Sequence, residues 1–419
     1  MKRNLLILSL LALTACGAHY NKDDSQRLVS VSIVDRNGFN ETISAEDRLK
    51  KYSSVNFLQN NPYEKVTRVF GRDPQGNVSA IITSYHPNGQ PKQYLEVVNG
   101  RALGAYIEWH PNGEQKLCAN IVGGIGDIEA GAESSWLFDG ISQAWDEKGN
   151  LLVEIPYQKG IMEGISVYYH DNGKRWKEVP YHNNQINGLV KVYRDDGSLL
   201  QSAEFSQGLT HGATLRYWNE TQLASREQFS EGKLISGEYY DFNGKRLGGV
   251  ENGKGEKILF SRNHIAEIQT IQDGQQHGII KVYADNGSLE RSYNSINGIK
   301  NGDEIIYYEK DGRPKISISW QNGIIQGIVK TWYPNGSQES QREFSQNKKN
   351  GLSTAWYPDG SVMLIEEYEK DLLLTGKYYR KKEKQPISTV RKGEGTATIF
   401  NSAGEQINSV TYREGKPLA

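Results

Sequence analysis

Residues Gly188–Gly212 and Gly327–Gly351 carry the pattern that decides the fold. The first stretch is GLVKVYRDDGSLLQSAEFSQGLTHG, and the second is GIVKTWYPNGSQESQREFSQNKKNG. In each stretch a run of β-branched and aromatic residues leads into a glycine-containing turn, and a second run leads into a second glycine. Such runs between turn residues are typical of strands joined as hairpins. Each stretch therefore predicts one β-hairpin unit of about 24 residues.

The same unit recurs along most of the chain. An aromatic residue stands four positions before a glycine at Tyr85, Trp109, Trp145, Tyr169, Tyr193, Tyr240, Tyr283, Tyr308, Trp332, Trp356 and Phe400. The turn sequences His-Pro-Asn-Gly, Asp-Asn-Gly and Pro-Asp-Gly are expected to form one of the two turns of each unit, because Asn and Gly tolerate positive φ. The predicted fold class is all-β: an elongated, single-layer antiparallel meander of about fourteen hairpin units.

Irregularities that recur together indicate a longer repeat. Glu204–Gln207 has the same sequence as Glu343–Gln346, and Gly237–Tyr240 resembles Gly376–Tyr379. Both pairs are separated by the same interval as the two stretches quoted above, which we call the long period. The units at Gly237 and Gly376 also depart from the regular unit spacing in the same way. We therefore predict a six-unit block that has been duplicated in tandem.

The first sixteen residues have the layout of an export signal. Lys2 and Arg3 precede an apolar run that is too short to span a bilayer as a permanent helix. The following Leu13-Thr14-Ala15-Cys16 resembles the lipobox of bacterial lipoproteins. That resemblance implies cleavage before Cys16, lipid attachment to Cys16 and, with glycine next, sorting to the outer membrane. The alternative is an ordinary signal peptide with a chance cysteine.

Lipidation of Cys16 also affects the cysteine count. The chain has two cysteines, so Cys118 is then expected to remain as a free thiol. Several acyl chains on one residue make a lasting anchor, whereas one chain binds a membrane only marginally. The sequence thus predicts an exported protein that is anchored in the bacterial envelope.

These observations divide the chain into five segments. The segment before the repeats includes Ser44–Asp47, which is expected to cap a short helix that continues to Tyr52. The predicted segments are a lipoprotein signal peptide (1–15), a lipidated tether with a short helix (16–62), N-terminal repeats with an inserted loop (63–139), the six-unit block (140–277) and its duplicate (278–419).

Composition and charge exclude several classes of function. With 49 basic and 50 acidic residues, the chain has no basic field to attract nucleic acid. Hydrophobic residues are 37% of the chain and glycines number 44, which leaves little material for a deep core. His86, His110 and His170 follow the repeat, and no triad or ligand spacing has a recognisable context. We therefore expect no catalytic residue, no metal and no cofactor.

The unit itself resembles a known family. A glycine pair followed by an aromatic and a further glycine, as in Gly160, Gly164, Tyr169 and Gly173, resembles the variant MORN repeats of YwqK-type antitoxin proteins. The resemblance covers roughly residues 63–419 and implies a hairpin-repeat fold that binds proteins without catalysis. The turn glycine is missing in three units, which are expected to be bulged or less ordered: Trp218–Gln222, Phe260–His264 and Tyr379–Lys384.

One insertion departs from the repeat. Gly113 and Gly149 are 36 residues apart, about twelve more than one period. Insertions in repeat proteins often lie on the binding face. Trp136 and Phe138, at the end of the insertion, are therefore predicted to contact a protein partner. The alternative is that both rings fold back onto the sheet.

Two functions are consistent with these features. The first is a non-enzymatic, lipid-anchored MORN-like scaffold that binds an unidentified protein in the bacterial envelope. The second is a YwqK-like antitoxin or immunity protein that neutralises a partner toxin. An envelope-remodelling enzyme is a third class, which would require an acid pair or a nucleophile and base clustered in a cleft.

Overall fold

The computed structural model describes residues 27–72 and 75–418. The signal segment and Cys16 lie outside the described residues. The chain forms two compact units, one ending at Leu209 and the other beginning at Thr210. This boundary lies inside the predicted block 140–277 and not at either of its ends. No helix in the described ranges is long and apolar enough to cross a membrane.

The first unit is an antiparallel meander in which most strands that follow each other in the chain are paired. Its helical segments are α1 (Glu46–Tyr52) and a short 3-10 helix at Ala132–Ser135. Its strands are β1 (Arg27–Asp35), β2 (Asn40–Ile43), β3 (Glu64–Arg72), β4 (Val78–Tyr85), β5 (Pro91–Val98), β6 (Arg101–Trp109), β7 (Gln115–Ile121), β8 (Gly140–Trp145), β9 (Leu151–Gln158), β10 (Ile161–Met162), β11 (Gly164–Tyr169), β12 (Arg175–His182), β13 (Gln185–Ile186), β14 (Gly188–Tyr193) and β15 (Leu199–Ser206).

The second unit is a meander of the same kind. Its strands are β16 (Leu209–Tyr217), β17 (Leu223–Ser230), β18 (Lys233–Tyr240), β19 (Arg246–Glu251), β20 (Lys254–Ser261), β21 (His264–Gln272), β22 (Gln275–Tyr283), β23 (Leu289–Ile296), β24 (Ile299–Tyr307), β25 (Pro314–Gln321), β26 (Ile324–Trp332), β27 (Gln338–Ser345), β28 (Lys348–Trp356), β29 (Val362–Glu369), β30 (Leu372–Tyr378), β31 (Ser388–Arg391), β32 (Glu394–Phe400), β33 (Gln406–Arg413) and β34 (Lys416–Pro417). The predicted all-β antiparallel meander of hairpin units is confirmed.

Two kinds of turn alternate along each meander. In the turn after an aromatic residue, Gly89 N donates to His86 O at 2.8 Å and Gly89 has a φ of 87°. In the other turn two successive residues have positive φ, as Asn99 (50°) and Gly100 (75°) do. In the regular turns of this kind the glycine has positive φ, whereas Asn88, Asn112, Asn172 and Asn335 do not.

The missing turn glycine does not disorder the unit at Trp218. Trp218 N donates to Gln222 O at 2.8 Å, which closes the turn as in regular units. The side-chain oxygen of Asn219 accepts hydrogen bonds from the backbone amides of Thr221 and Gln222. These bonds hold the turn in place of the glycine that the regular units have there. Of the two expected outcomes, loss of order is wrong at this unit, whereas a register shift is present between Arg216 and Tyr217, as it is in regular units.

Residues before the repeats are more structured than the sequence indicated. β1 pairs antiparallel with both β2 and β3, so part of the predicted tether belongs to the sheet. The short helix is present as α1, but its N-cap is Ala45, which makes no side-chain capping bond. The predicted cap by Ser44 is therefore wrong, although the helix itself is present.

Apolar packing is divided among small clusters. One cluster in the first unit is formed around Leu95, Tyr106, Ile121 and Trp136. In the second unit one cluster surrounds Tyr239, and another surrounds Tyr378, one long period later in the chain. Each cluster joins a few neighbouring strands, as expected for a repeat protein whose units contact mainly their neighbours.

Candidate interaction surface

In seven described units, the residue after the aromatic that ends a strand forms a hydrogen bond to the next unit; in the unit before Gly312 that aromatic is Tyr307, and Tyr308 is the residue after it. The side chain of the residue after the aromatic, a histidine, tyrosine or tryptophan, bonds to the backbone carbonyl of the following unit's aromatic or its structural equivalent. The pairs are His86 to Trp109, His110 to Trp145, His170 to Tyr193, Trp218 to Tyr240, Tyr308 to Trp332, Tyr333 to Trp356 and Tyr357 to Tyr379, at 2.6 to 3.1 Å. We call this row of contacts the carbonyl ladder.

The carbonyl ladder explains three of the histidines. A backbone carbonyl can only accept a hydrogen bond, so Nε2 of His86, His110 and His170 carries the proton and donates it. Tyrosine or tryptophan serves the same purpose in other units, which shows that the position requires a donor and not imidazole chemistry. The described residues contain no group of three or more His, Cys, Asp or Glu side chains arranged to hold a metal ion.

A second row of contacts runs through the turn asparagines. In one turn Asn172 Oδ1 accepts from Lys174 N at 3.0 Å, while Asn172 Nδ2 donates to Asp195 O at 2.7 Å in the next unit. Asn88, Asn112 and Asn335 make the same two kinds of contact. Asparagine is thus used in this turn for its side chain, which joins two units, and not for positive φ.

The inserted loop folds back onto the first unit. Trp136 is 6% exposed, its Nε1 donates to Ile125 O at 2.8 Å, and its ring lies edge-on to Tyr106 with centroids 4.6 Å apart. Phe138 is partly buried and its ring centroid is 5.4 Å from that of Tyr157. The geometry favours the alternative that both rings pack against the sheet. Trp136 offers almost no surface to a partner.

The same insertion is fixed by an ion pair. Arg68 Nη2 lies 2.7 Å from Asp127 Oδ1, and Arg68 Nε donates to Asp127 Oδ2 at 3.1 Å. Both side chains are partly buried, and such paired contacts are stronger than exposed single ones. The insertion is therefore an ordered part of the first unit and not a free binding loop.

Cys118 is fully buried on β7. It is not a free thiol, because the described residues contain no free cysteine. The expectation of a single free thiol at Cys118 is therefore wrong. The expectation assumed that Cys16 carries a lipid and leaves Cys118 as the remaining cysteine. Lipid attachment to Cys16 stays a prediction.

The second unit contains buried carboxylates beside an open groove. The groove has a volume of about 540 Å³ and is lined by Arg226, Glu227 and Arg246, among others. Glu227 Oε1 accepts from Tyr239 Oη at 2.7 Å and lies 3.2 Å from Lys257 Nζ. Burial and the charge of Glu227 raise the pKa of Tyr239. These contacts commit Glu227 to the packing of the sheet.

The arrangement around Glu227 recurs one long period later. Glu366, also buried, accepts from Tyr378 Oη at 2.9 Å and from Tyr368 Oη at 3.1 Å. Gly237 and Gly376 are equivalent positions in the repeat. A Cβ added to either glycine would lie 2.6 Å from the oxygen of the nearby tyrosine, Tyr239 or Tyr378. The two sites are therefore repeated structural features of the fold.

Exposed apolar residues form a continuous row on the first unit. Ile141, Ile165 and Leu189 each follow the second glycine of their unit and are 55%, 57% and 43% exposed. Ile141 pairs with Pro156, and Ile165 pairs with Pro180. Residues directly opposite each other share one face of a sheet. We call these five residues the apolar ridge.

Glycines close the gaps within the apolar ridge. A Cβ at Gly164 would lie 3.2 Å from Pro156 Cγ, and a Cβ at Gly188 would lie 3.1 Å from Pro180 Cγ. Each proline lacks a backbone N–H, but its carbonyl still accepts a hydrogen bond from the neighbouring strand. Glu163 N donates to Pro156 O and Asn187 N donates to Pro180 O, in both cases at the break in the next strand. The ridge is therefore built from two successive, nearly identical units.

A polar row runs beside the apolar ridge on the same face. Glu154 accepts from Tyr169 Oη at 2.5 Å, and Glu178 accepts from Tyr193 Oη at 3.1 Å. Burial and the neighbouring Glu154 raise the pKa of Tyr169 to about 12. An apolar row with a polar border has the composition of a protein-binding surface.

Two described positions of the second unit that correspond to the ridge have polar neighbours instead of prolines. Ile279 follows Gly278 and is 56% exposed, but it pairs with Asn294. Leu352, at the same position in a later unit, pairs with Glu367. The sequence contained a signal for the ridge, namely an apolar residue after the second glycine in three successive units together with Pro156 and Pro180. Sequence reasoning missed it because the pattern does not show which face of a thin sheet is exposed.

Comparison with known proteins supports the repeat assignment. A model of the MORN repeat variant matches residues 138–159 and 162–183. None of the curated proteins compared with the chain matches it. Among solved structures, one similar chain belongs to a mutant Tc holotoxin pore of Photorhabdus luminescens. It is 10% identical, and the alignment covers 90% of this chain and 26% of that one at a TM-score of 0.15.

A likeness with so low a TM-score bears on neither the fold nor the function. The family match, in contrast, covers four of the five residues of the apolar ridge, all except Leu189. The hairpin geometry of those residues agrees with the match. Residues 138–159 and 162–183 are thus similar to the MORN repeat variant, and the same hairpin unit recurs along the rest of the described chain.

Proposed function

We propose that the protein is a non-enzymatic scaffold that binds another protein through the apolar ridge, and that a lipid on Cys16 anchors it in the bacterial envelope. The observation that carries the proposal is the row on one face in which Ile141, Ile165 and Leu189 are exposed and the prolines between them, Pro156 and Pro180, are half-buried. Contiguous exposed apolar residues with a polar border often mark the sites where proteins bind other proteins. The ordered ridge requires little rearrangement on binding, which keeps the entropic cost of association low.

The ridge is tested by comparing partner capture between matched variants. The protein carrying both Ile141→Ser and Ile165→Ser is expected to lose its partner, because each buried apolar anchor contributes on the order of 1–3 kcal/mol to binding. Ile279→Ser is the matched control, since Ile279 has the same repeat position and exposure in the second unit. All three side chains are exposed, so the free energy of unfolding is expected to change by less than about 0.5 kcal/mol per substitution.

The measurement is mass spectrometry of proteins retained by each variant from the cells that produce it. Support requires proteins that the wild type and Ile279→Ser retain and that the ridge variant loses. Equal retention by all three proteins contradicts binding through the ridge. An equal loss in the Ile279→Ser protein would mean that the effect is not specific to that surface.

The anchor is tested on the N-terminal peptide of the mature protein. A lipidated Cys16 gives a peptide that begins at Cys16 and is heavier by a diacylglyceryl group and an acyl chain. Cys16 and Cys118 are the two cysteines of the chain, and a sulfur that carries a lipid thioether is unavailable for a disulfide. A disulfide-linked peptide containing Cys16 therefore contradicts the anchor.

An antitoxin or immunity role is a narrower form of the same proposal. It requires that the protein bound at the ridge be a toxin whose activity falls when it is bound. The capture experiment distinguishes the two roles, because a stoichiometric toxin supports neutralisation, whereas envelope components support a scaffold. No described feature favours the toxin, so the scaffold is the function that we put forward.

A further inference from the structure

One backbone amide distinguishes the units of the apolar ridge from other units. A register shift interrupts the pairing of β5 with β6 and of β27 with β28. At each of these shifts, the amide after the second glycine bonds to a glutamate side chain of the preceding strand. Glu96 Oε2 accepts from Ala105 N at 2.8 Å, and Glu343 Oε2 accepts from Leu352 N at 3.2 Å. The glutamate thus satisfies a donor at the point where the strand pairing is broken.

Pro156 and Pro180 occupy the places of these glutamates. Continuing the register of β9 with β11 and of β12 with β14 sets Pro156 opposite Ile165 and Pro180 opposite Leu189. The second glycine gives the same assignment, because a Cβ added there would touch the glutamate in one kind of unit and the proline ring in the other. Ile165 and Leu189 are therefore the counterparts of the two residues whose amides a glutamate binds.

The prolines leave these amides without their usual partner. A proline ring has no hydrogen-bond acceptor. The carbonyls of the two prolines accept instead from Glu163 N and Asn187 N. Among the residues that the structure describes, the amides of Ile165 and Leu189 therefore lack the side-chain acceptor that their counterparts have. Covering an amide without supplying an acceptor costs free energy, so whatever covers the ridge has to bring acceptors.

The two amides lie within reach on the ridge itself. Gly164 and Gly188, which precede them, are exposed, so the backbone there is open to the solvent. β11 and β14 are separated by β12, and both strands are paired on each side within the sheet. Strands of a sheet are about 4.8 Å apart, so the two donors are separated by about 10 Å along the row.

This spacing distinguishes between the backbone conformations of a bound segment. In an extended strand, carbonyls that face one way recur every two residues, or about 6.8 Å. An α-helix uses its carbonyls for its own hydrogen bonds. A polyproline II helix has three residues per turn and a rise of about 3.1 Å, so a carbonyl returns to the same face after about 9.3 Å. Its carbonyls have no internal partner, so of the three conformations it alone brings free acceptors at the required interval.

The side chains of the ridge suit the same conformation. Ile141, Ile165 and Leu189 recur at the interval of two strands, with lower, half-buried prolines between them. The row carries no charge, and Glu154 and Glu178 beside it already accept from tyrosine hydroxyls. The surface is therefore complementary to an uncharged, apolar segment. A polyproline II segment is extended before it binds, which keeps the entropic cost of binding low.

We propose that the apolar ridge binds a polyproline II segment of another polypeptide, uncharged and with an apolar side chain at every third residue. Two of its carbonyls, one turn apart, accept hydrogen bonds from Ile165 N and Leu189 N. Its apolar side chains pack against Ile141, Ile165 and Leu189. The inference rests on the proposed function, because it specifies the conformation and composition of the partner at the same surface.

The test uses the whole protein and a synthetic peptide. The probe is N-acetylated, C-amidated (Pro-Leu-Pro)₃, whose nine residues span about 28 Å as a polyproline II helix and so cover the ridge. The readout is hydrogen exchange resolved to single amides and corrected for intrinsic rates. In the free protein, Ile165 N and Leu189 N are expected to exchange about tenfold or more faster than Ala105 N and Leu352 N. Saturation with the peptide is expected to slow the first pair about tenfold or more and to leave the second pair unchanged.

Comparison peptides separate conformation from composition. The peptide Pro-Pro-Pro-Leu-Leu-Leu-Pro-Pro-Pro has the same residues without the three-residue period, and is expected to bind about tenfold more weakly. An amphipathic helical peptide with leucine at heptad positions a and d is expected to leave Ile165 N and Leu189 N unprotected, because its carbonyls are already bonded.

Variants at the two prolines test the amide donors. The protein with Pro156→Glu and Pro180→Glu regains the glutamate of the other units. It is expected to protect Ile165 N and Leu189 N before any peptide is added, and to bind the peptide about tenfold more weakly. The protein with Pro156→Lys and Pro180→Lys is the matched control, because lysine is long and charged but has no acceptor, and it is expected to keep its affinity within about threefold. Ile279→Ser, in the second unit, is expected to change nothing.

Three results would overturn the proposal. They are protection of Ile165 N and Leu189 N in the free protein, no slowing of their exchange by the peptide, and equal weakening by the glutamate and lysine variants. The proposed function fails separately. If proteins retained from cells depend on the ridge but (Pro-Leu-Pro)₃ does not bind, this inference alone is wrong. If the peptide binds and no retained protein depends on the ridge, the scaffold function is wrong.

Discussion

Replacement of Trp136 by alanine separates a packing role from a binding role. The ring is buried in the cluster of Leu95, Tyr106 and Ile121, and its nitrogen donates to a backbone carbonyl. Removal of a buried tryptophan costs about 3–5 kcal/mol, a figure that includes the contact with Tyr106 and the cavity left behind. We therefore expect a loss of that size in the local stability of the first unit.

The assay follows from the repeat architecture. Unfolding of repeat arrays need not be two-state, so native-state hydrogen exchange in β5, β6 and β7 is a better measure than one global midpoint. A loss of about 3–5 kcal/mol accelerates exchange by about 10²- to 10⁴-fold, since each 1.4 kcal/mol is a factor of ten. Trp176→Ala is the control, because Trp176 is 45% exposed and its loss is expected to cost less than about 1 kcal/mol.

Two results would refute this reasoning. Acceleration of less than tenfold in β5–β7 would show that the ring contributes little to packing. Loss of a protein partner without a change in exchange would return Trp136 to the binding role predicted from its place in the insertion. A large acceleration with partner capture preserved agrees with the structure.

Three further predictions address the turns and the buried tyrosines. Gly237→Ala is expected to destabilise the second unit by about 1–3 kcal/mol, because the new Cβ would lie 2.6 Å from the oxygen of the fully buried Tyr239. Urea unfolding measures the effect, and an unchanged unfolding midpoint would contradict it. Asn172→Ala is expected to cost about 1–2 kcal/mol, since it breaks both the turn bond and the bond to Asp195 O, and exchange in the two joined units should accelerate together. Burial raises the pKa of Tyr85 to about 12, so its contribution to stability is complete below pH 10 and is lost as the pH rises toward 12. Tyr85→Phe should therefore reduce the alkaline loss of stability, and an unchanged pH profile would refute that contribution.

The repeat pattern determined the fold because turn residues and strand residues recur at fixed spacing. Local sequence was enough to place the hairpins, since each depends on its own turn and on pairing between adjacent strands. The conformations within the turns were harder to predict. Asn88 and Asn172 are compatible with positive φ, and nothing local shows that their side chains instead bond to the next unit.

Other errors arose where the period was absent. β1 alternates apolar and polar residues, but it has no counterpart in the repeat. Without that counterpart, the alternation alone does not distinguish a strand from a tether. Whether the Trp136 ring is buried depends on its contact with Tyr106, thirty residues earlier in the chain. The sequence of the insertion does not show that contact. The apolar ridge likewise depends on which face of the sheet is open, a property of the packed units and not of the alternation.

The carbonyl ladder has a consequence for how such a chain can change over time. In seven units a side chain bonds to the main chain of the next unit, and every residue type has a main-chain carbonyl. A unit can therefore be copied, deleted or moved next to an unfamiliar one without a compensating substitution at the junction. Duplication of a long segment, such as the one that the long period indicates, would place two units next to each other for the first time, and the hydrogen bond between them could form without a further substitution. The exposed residues of the units could then vary while the contacts between units are kept.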